Sequence, residues 1–326
     1  MHEITFRDAL REALVEEMEK DPSIFLMGVD IGEGGGGGPL KVAAGIIEKF
    51  GKNRAIETPI SESTFTGAAI GAALMGARPV VELLYADFLP LVADQLVNHA
   101  AKMRYSFGGK AKVPMVLRSF FGAGTSSGAS HAQCLEAWVV HCPGLKVVMP
   151  STPADAKGLL KTSIRDDDPV IFFEHRLLYA RKGEVPEGEF FIPLGKADIK
   201  REGRDITVVA TAMMVHKALE AAEELQKEGT EIEVLDPRSL VPFDSEMLVN
   251  SVTKTGRLLI VHEACKTGGI GAEIAAIAAK EAFGYLDAPI ERICAPDVPI
   301  PFSPPLERYY LPKKEDIIAC ARRMLS

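Results

Sequence analysis

The chain has 326 residues, of which 47% are hydrophobic and 25% are charged, and its formal net charge is -8. These values are typical of a globular protein with room for two domains, and they argue against a nucleic-acid-binding surface. Five cysteines without a C-x-x-C pair favour a reducing compartment, so we expect a cytoplasmic protein. We expect no membrane span and no secretory signal, because the apolar stretches are short and the N-terminus is amphipathic and acidic.

Helix and strand patterns alternate through the first part of the chain and predict a parallel, doubly wound α/β sheet. The first helix covers residues 5–20, where Thr5 is the N-cap and apolar residues recur on one face. The strands that follow are predicted at 24–29, 80–85, 114–118, 146–149 and 170–173. The other helices are predicted at 40–50, 62–77, 90–104, 131–138 and 153–165, and the last of these has a strong start signal in Ser151-Thr152-Pro153.

The alternation breaks at about residues 180–200, where Gly and Pro recur at short intervals. We therefore predict a first domain over 1–185, a linker over 186–200 and a second, smaller α/β domain over 201–326. Strands of the second domain are predicted at 205–212, 232–235 and 258–262, and its helices at 213–228, 244–254, 269–284 and 313–325. The proline-rich segment 296–312 is predicted to be irregular.

Glu62 lies at the start of the central helix, after Ser61, which is a good N-cap residue, and Pro59, which ends the preceding strand. Two interpretations of this carboxylate remain open. It either favours the positive end of the helix, or it lies in a dry pocket beside Ile60 and holds or passes a proton.

Small residues form one face of the same helix, because Ala68, Ala72 and Gly76 recur every four residues. Such a face lets another backbone approach closely. The sequence leaves two candidates for that backbone, which are a partner subunit and the sheet of the same domain.

Two loops of the sequence each allow two functional interpretations. The run Gly32–Gly38 satisfies a dinucleotide-binding pattern, but a run of glycines satisfies almost any glycine pattern, so a flexible loop is the default interpretation. His131 follows a loop of small residues and is predicted to begin a helix at the carboxyl edge of the sheet, where ligands of open α/β sheets bind. This position suits either catalysis or a capping role.

Several segments together resemble the β subunit of the thiamine-diphosphate-dependent first component of 2-oxo acid dehydrogenase complexes. These segments are TPISES, RPVVELLYADFL, KMRYSFGGKAKVP, HAQ, PGLKVVMPSTPADAKGLL, VLDPRSLVPFD and APDVPIPFSPPLERYYLP. The resemblance covers nearly the whole chain and is closest to acetoin dehydrogenase, with pyruvate and branched-chain dehydrogenases as alternatives. It implies a pyrimidine-type thiamine-diphosphate-binding domain followed by a transketolase C-terminal-like domain.

The resemblance implies an oxidoreductase that cleaves acetoin or decarboxylates a 2-oxo acid and passes the acyl group to lipoamide. Glu62 matches the carboxylate that promotes the imino tautomer of the aminopyrimidine ring of the cofactor. By the same match, the backbone of Ile60 contacts this ring and Phe88 stacks on it. His131 matches the histidine implicated in substrate orientation and acyl transfer.

Ions and partners are implied as well. A structural potassium site would be lined by carbonyls near Met115, Ser163, Ile164 and Asp166, with Asp168. The family's magnesium–diphosphate motif lies on the other subunit, and its nearest match here, Gly32-Glu33-Gly34 with Asn53, has the wrong acid and spacing. We therefore expect an α subunit, in a heterotetramer of two α and two β chains, to hold magnesium and the diphosphate. A lipoyl-bearing dihydrolipoyl acyltransferase core is the second expected partner.

The chain departs from the family pattern near the expected substrate entrance. Five glycines occupy 34–38, GAGTSSGAS precedes His131, and Ala132 replaces a common serine. Two other functions remain open at this stage: the pyrimidine-binding half of a split transketolase-like enzyme, and a noncatalytic scaffold subunit.

Overall fold

The computed structural model describes residues 1–32 and 36–326, which form two compact units. The first unit comprises Met1–Phe121 and Trp138–Leu194, and the second comprises Gly122–Ala137 and Gly195–Ser326. The segment that contains His131 therefore belongs to the same unit as the C-terminal residues. Glu33, Gly34 and Gly35 of the predicted glycine loop lie outside the described residues.

A parallel sheet forms the centre of the first unit. The strands are β1 (His2–Thr5), β2 (Ile24–Gly28), β3 (Ala55–Glu57), β4 (Arg78–Tyr85), β5 (Val116–Phe121), β6 (Lys146–Val148), β7 (Val170–His175) and β8 (Lys182–Val185). Six of them lie in the order β6–β7–β5–β4–β2–β3, parallel to their neighbours, whereas β1 and β8 form an antiparallel pair. The strand order reverses between β2 and β4, and the crevice at such a reversal is where open α/β sheets bind ligands.

Helices connect these strands. They are α1 (Phe6–Lys20), α2 (Ile46–Phe50), α3 (Glu62–Leu74), α4 (Leu89–Asp94), α5 (Ala101–Ser106), α6 (Glu136–Val140) and α7 (Pro153–Arg165). A π-helical turn over 95–100 joins α4 to α5, so the predicted helix 90–104 is continuous but locally widened. The predicted caps of α1 and α7 are confirmed, because Thr5 and Thr152 each accept a backbone hydrogen bond of 3.1 Å.

The second unit has its own sheet. The strands within this unit are β9 (Asp198–Arg201), β10 (Ile206–Ala210), β11 (Ile232–Asp236), β12 (Ser239–Val241), β13 (Leu258–Cys265) and β14 (Glu291–Ala295), of which β12 is not part of that sheet. Its helices are α8 (Met213–Gln226), α9 (Ser245–Thr255), α10 (Ile270–Glu281), α11 (Pro304–Tyr310) and α12 (Lys314–Leu325). The sheet order is β14–β13–β10–β11–β9, and β9 is the antiparallel edge strand. Helices α8 and α12 bury their apolar faces in the core of this unit.

Three predictions of helix bounds are wrong. The helix expected at 131–138 begins only at Glu136, and the helix expected at 40–50 covers Ile46–Phe50. The central helix ends at Leu74, so Arg78 and Pro79 begin β4 instead of ending the helix. Proline is tolerated there because it stands close to the start of its strand.

The segment 296–312 is also more ordered than predicted, since it contains α11. Its prolines suit this helix, because Pro304 and Pro305 occupy the first turn, where a missing N–H costs no hydrogen bond. No helix within residues 1–32 and 36–326 is both long and apolar enough to cross a membrane.

Candidate active site

Glu62 is the first residue of α3, and the N-terminal end of this helix is called its mouth below. Ser61 occupies the N-cap position, but its hydroxyl donates to Thr64 Oγ1 at 2.8 Å and accepts no backbone hydrogen bond. The predicted capping by the Ser61 side chain is therefore wrong. Glu62 is half-buried, and α3 packs against β4 and α4. The carboxylate thus stands at a helix N-terminus, next to the point where the strand order of the sheet reverses.

The first unit does not close the dry pocket that one of the two interpretations of Glu62 requires. The side chain of Ile60 is 81% exposed, and Pro59 is exposed beside it. Two buried polar atoms in this region, Thr58 Oγ1 and Gln95 Oε1, have no hydrogen-bond partner among the described residues. Gln95 lies beside α3, because its Cγ would be 3.8 Å from a Cβ placed at Gly67. Unpaired buried polar atoms of this kind are expected where a polar ligand completes a site.

Aromatic side chains line the carboxyl edge of the same sheet. Phe88 follows β4, and its ring centroid lies 5.5 Å from that of Tyr85 in an edge-to-face arrangement. Tyr85 in turn lies 4.5 Å from Phe120, at the end of β5. The guanidinium of Arg176, after β7, lies 5.5 and 5.7 Å from the centroids of Tyr85 and Phe120. These contacts fix the position from which Phe88 can meet a flat ligand ring.

The small-residue face of α3 points away from the sheet. Ala68 is exposed and Ala72 is half-buried, whereas Phe65 and Ala69 of the opposite face are buried. Gly76, which the sequence placed on this face, lies beyond the end of the helix. Of the two candidates that the sequence left open for this face, the sheet of the same domain is therefore excluded.

A buried charged network crosses three neighbouring strands of the first unit, and the sequence analysis missed it. Arg118 donates to both carboxylate oxygens of Glu174, at 2.6 and 2.8 Å, and to Glu82 at 2.9 Å. Tyr179 also donates to Glu174. Burial raises the pKa of Glu82, while the attraction of Arg118 acts in the opposite direction. A charged residue inside an apolar strand, as in VVELLY and MVLRSFF, is the signal that could have revealed the network.

His131 lies in the second unit, within a loop and not at a helix start. It is half-buried, and its Nδ1 lies 3.1 Å from Ser130 Oγ. The helix-dipole argument for His131 therefore does not apply, because α6 begins five residues later. A cavity of about 390 Å³ lies next to this loop, and its lining includes Gln133, Cys134 and Tyr310.

Glu136, the first residue of α6, is another buried acid that the sequence analysis did not single out. Its side chain is 1% exposed, and its Oε2 has no hydrogen-bond partner among the described residues. Burial raises the pKa of Glu136 to about 7, and the nearby Glu263 carboxylate adds to this shift. The position of an acid within the run CLEAWVV was the available signal.

The residues predicted to bind potassium come together, but their oxygens already have protein donors. Arg78 donates to the carbonyls of Ile164 and Asp166, each at 3.0 Å. The Asp168 carboxylate pairs with Arg104 at 2.7 Å and with Lys146 at 3.4 Å. Three cationic side chains thus surround these oxygens and disfavour an added potassium ion. The carbonyls of Met115 and Ser163 accept backbone hydrogen bonds. We derive no role for potassium.

Two α/β units in this order are the arrangement of a transketolase-type protein, and two family models show that class. Residues 2–182 match the model of the transketolase pyrimidine-binding domain, and residues 195–317 match that of the transketolase C-terminal domain. The chain belongs to the family of β subunits of acetoin and 2-oxo acid dehydrogenases, as full-length relatives show.

Two relatives and one solved structure illustrate the similarity. The chain is 48% identical to acetoin:2,6-dichlorophenolindophenol oxidoreductase subunit beta of Cupriavidus necator, over 99% of this chain and 97% of that protein. It is 47% identical to mitochondrial pyruvate dehydrogenase subunit beta-2 of Oryza sativa subsp. japonica, over 98% of this chain and 86% of that protein. A split-gene transketolase, described as an inactive beta4 tetramer, aligns with a TM-score of 0.80 and 26% identity, over 99% of this chain and 98% of that one.

The residues of the first unit fit the pyrimidine end of thiamine diphosphate. The unpaired atoms Thr58 Oγ1 and Gln95 Oε1 offer hydrogen bonds to a polar ring, and Phe88 offers an aromatic surface. The half-buried Glu62 carboxylate can approach a ring nitrogen. This donor set suits a flat heterocycle rather than a phosphate, since none of these side chains is cationic.

Proposed function

We propose that this chain supplies the pyrimidine-binding half of a thiamine diphosphate site, while an α subunit supplies magnesium and the diphosphate-binding half. The assembled enzyme would cleave acetoin and pass the acetyl group to lipoamide. The observation that carries the proposal is the open mouth of α3, where Glu62 stands beside the 81% exposed Ile60. A large apolar side chain exposed next to a half-buried carboxylate is expected where another chain completes a pocket.

Each residue of this chain has a defined task in the proposal. Bound thiamine diphosphate would supply a carbon nucleophile for the substrate carbonyl and a cationic ring that takes up the electron pair of the broken carbon–carbon bond. Glu62 would hold a proton against the ring nitrogen of the aminopyrimidine, and the backbone of Ile60 and the ring of Phe88 would orient that ring. His131 would orient the substrate and exchange a proton with it during acyl transfer to lipoamide.

The outward face of α3 supports a close contact with the α subunit. Ala68 and Gly71 are exposed, and nothing lies within 4 Å of a Cβ placed at Gly71. Such a face can receive another backbone without large side chains between them. The solved relative described as an inactive beta4 tetramer is consistent with a β chain that needs a second kind of subunit for activity. The same proposal includes a cytoplasmic location and a lipoyl-bearing acyltransferase core as partner.

Acetoin is the first candidate substrate, because a relative that is 48% identical over nearly the full length is named for acetoin. Pyruvate is the second, because the 47% identical relative from Oryza sativa is named for pyruvate. The test is a lipoamide-dependent assay of the complex reconstituted with its α subunit, with acetoin, pyruvate and branched-chain 2-oxo acids offered separately. We expect the highest kcat/KM with acetoin. A correctly assembled complex that turns over none of these substrates would instead favour a scaffold role.

A further inference from the structure

The proline-rich segment 296–312, to which the proposed function gives no task, shapes the loop that carries His131. Both segments belong to the second unit. Glu307, in α11, is only 3% exposed, and both of its carboxylate oxygens point to the backbone of this loop. Gly124 N donates to Oε1 at 2.8 Å, and Ser126 N donates to Oε1 and Oε2 at 3.1 and 3.0 Å. The Ser126 hydroxyl adds a contact of 3.3 Å to Oε2.

The backbone conformation of this loop needs such support. Ser126 has a φ of +55°, which is uncommon for a residue with a side chain, and Gly124 has a φ of +103°. A strained backbone persists only where its surroundings hold it in place. Hydrogen bonds from N–H groups to a buried carboxylate are about twice as strong as neutral ones, so Glu307 can provide this hold.

Phe302 packs against the same loop closer to His131. A Cβ placed at Gly128, whose φ is +72°, would lie 2.3 Å from the Phe302 ring, so a larger residue there would displace this ring. The backbone N–H of His131 lies 3.4 Å from the Gly128 carbonyl. Residues 302 and 307 therefore contact the loop at two points, and the second point lies one hydrogen bond away from His131.

A second buried acid holds the beginning of the loop. Ala123 N donates to Glu263 Oε1 at 2.5 Å, at the end of β13. Glu263 and Glu307 thus bind consecutive loop amides, upstream of the position at which the sequence predicted a helix.

We infer that Glu307 is a positioning residue, which sets the conformation of the 122–131 loop and thereby the orientation of His131 toward substrate and lipoamide. The effect on acyl transfer rests on the proposed role of His131, whereas the effect on loop conformation does not. A carboxylate is suited to this task because it accepts from several N–H groups at once. A glutamine would have to turn its NH₂ group toward one of these donors.

The test compares Glu307→Gln with the parent in the complex reconstituted with its α subunit. We expect amide hydrogen exchange at residues 123–127 to accelerate by about tenfold or more, because a locally held loop becomes free to open. We also expect the NMR signals of the His131 ring to shift. The lipoamide-dependent rate should fall more than the rate with 2,6-dichlorophenolindophenol as electron acceptor. Glu307→Asp, which keeps the charge, should restore part of each effect. Glu281→Gln, at an exposed site at the end of α10, is the matched control.

The outcomes separate this inference from the proposed function. Unchanged hydrogen exchange and unchanged His131 signals in a folded Glu307→Gln complex would overturn the positioning role. If that variant does not fold, the same readings on Glu307→Asp decide, with intermediate exchange expected and parental exchange contradicting the inference. If His131→Ala leaves the lipoamide-dependent rate unchanged while Glu307→Gln still loosens the loop, the proposed role of His131 fails and the loop contact stands.

Discussion

The mouth of α3 and the His131 loop differ in how completely this chain surrounds them. At the mouth, Ile60 is 81% exposed and two buried polar atoms have no partner among the described residues. In the loop, two almost fully buried carboxylates, Glu263 and Glu307, accept successive backbone N–H groups. The chain therefore prepares one region by its own contacts and leaves the other for a ligand and a partner subunit. This difference is what a β subunit with half of a cofactor site should show.

The largest expected effect comes from Glu62→Gln, which tests the open region. We expect turnover of the reconstituted complex to fall about 10²–10⁴-fold, because the amide cannot share a proton with the cofactor ring. The thermal stability of the isolated chain should stay close to that of the parent. Glu62 is half-buried, and it forms no salt bridge with any of the described residues. The control is Glu48→Gln, on the exposed side of α2. Parental turnover of an assembled Glu62→Gln complex would remove the catalytic role.

Arg118→Met tests the buried ion-pair network of the first unit. The substitution leaves the buried carboxylates of Glu82 and Glu174 without their cation, so we expect the free energy of unfolding to fall by about 3–5 kcal/mol. Urea-induced unfolding measures this change. Arg204→Met removes an exposed ion pair with Glu231 and should cost less than about 1 kcal/mol. Similar losses for the two variants would show that the buried network does not hold the strands together.

Glu136→Gln tests the buried acid beside the loop through its pH dependence. The pKa of Glu136 is raised by burial to about 7, so the protonated carboxyl stabilises the fold at low pH. This contribution should be lost as the pH rises from about 4.5 to about 7, and its full size is about 3–4 kcal/mol. The difference in unfolding free energy between parent and Glu136→Gln, followed from about pH 5 to pH 8, measures it. A difference that does not change with pH would contradict the buried, unpaired state of this acid.

Gly71→Ala produces the smallest expected change and sharpens the assignment of the outward face of α3. A Cβ at Gly71 meets nothing within 4 Å, so we expect the isolated chain to gain about 0.4–1 kcal/mol of stability from the lower entropy of the unfolded state. Association with the α subunit should weaken in the same variant if a backbone packs on this face. Gly284→Ala, where a Cβ also meets open space, is the control for association. Unchanged association of Gly71→Ala would place the α subunit elsewhere.

The sequence predicted the fold well where local signals and packing agree. Helices α1 and α7 begin at the predicted caps, because Thr5 and Thr152 each precede an amphipathic segment with an acid in its first turn. The pattern failed at His131, because the predicted helix begins only at Glu136. The preceding loop is held by a distant residue, Glu307, which accepts hydrogen bonds from its backbone N–H groups. No local pattern contains that information, because the two segments are far apart in the chain.

The candidate site divides in a similar way. Glu62, Ile60 and Phe88 are predictions that rest on short motifs shared with a family. The network of Glu82, Arg118 and Glu174 was missed, since its three members lie on separate strands that are adjacent only in the folded sheet. The dry pocket around Glu62 was expected from the neighbouring apolar residues, but this chain alone leaves Ile60 exposed.

The central claim is that this chain holds only the pyrimidine half of the cofactor site. Calorimetric titration of the isolated chain with thiamine diphosphate and magnesium tests it most directly, with the same titration repeated after addition of the α subunit. We expect no saturable binding to the isolated chain and tight, magnesium-dependent binding to the complex. Stoichiometric, magnesium-dependent binding to the isolated chain would contradict the account.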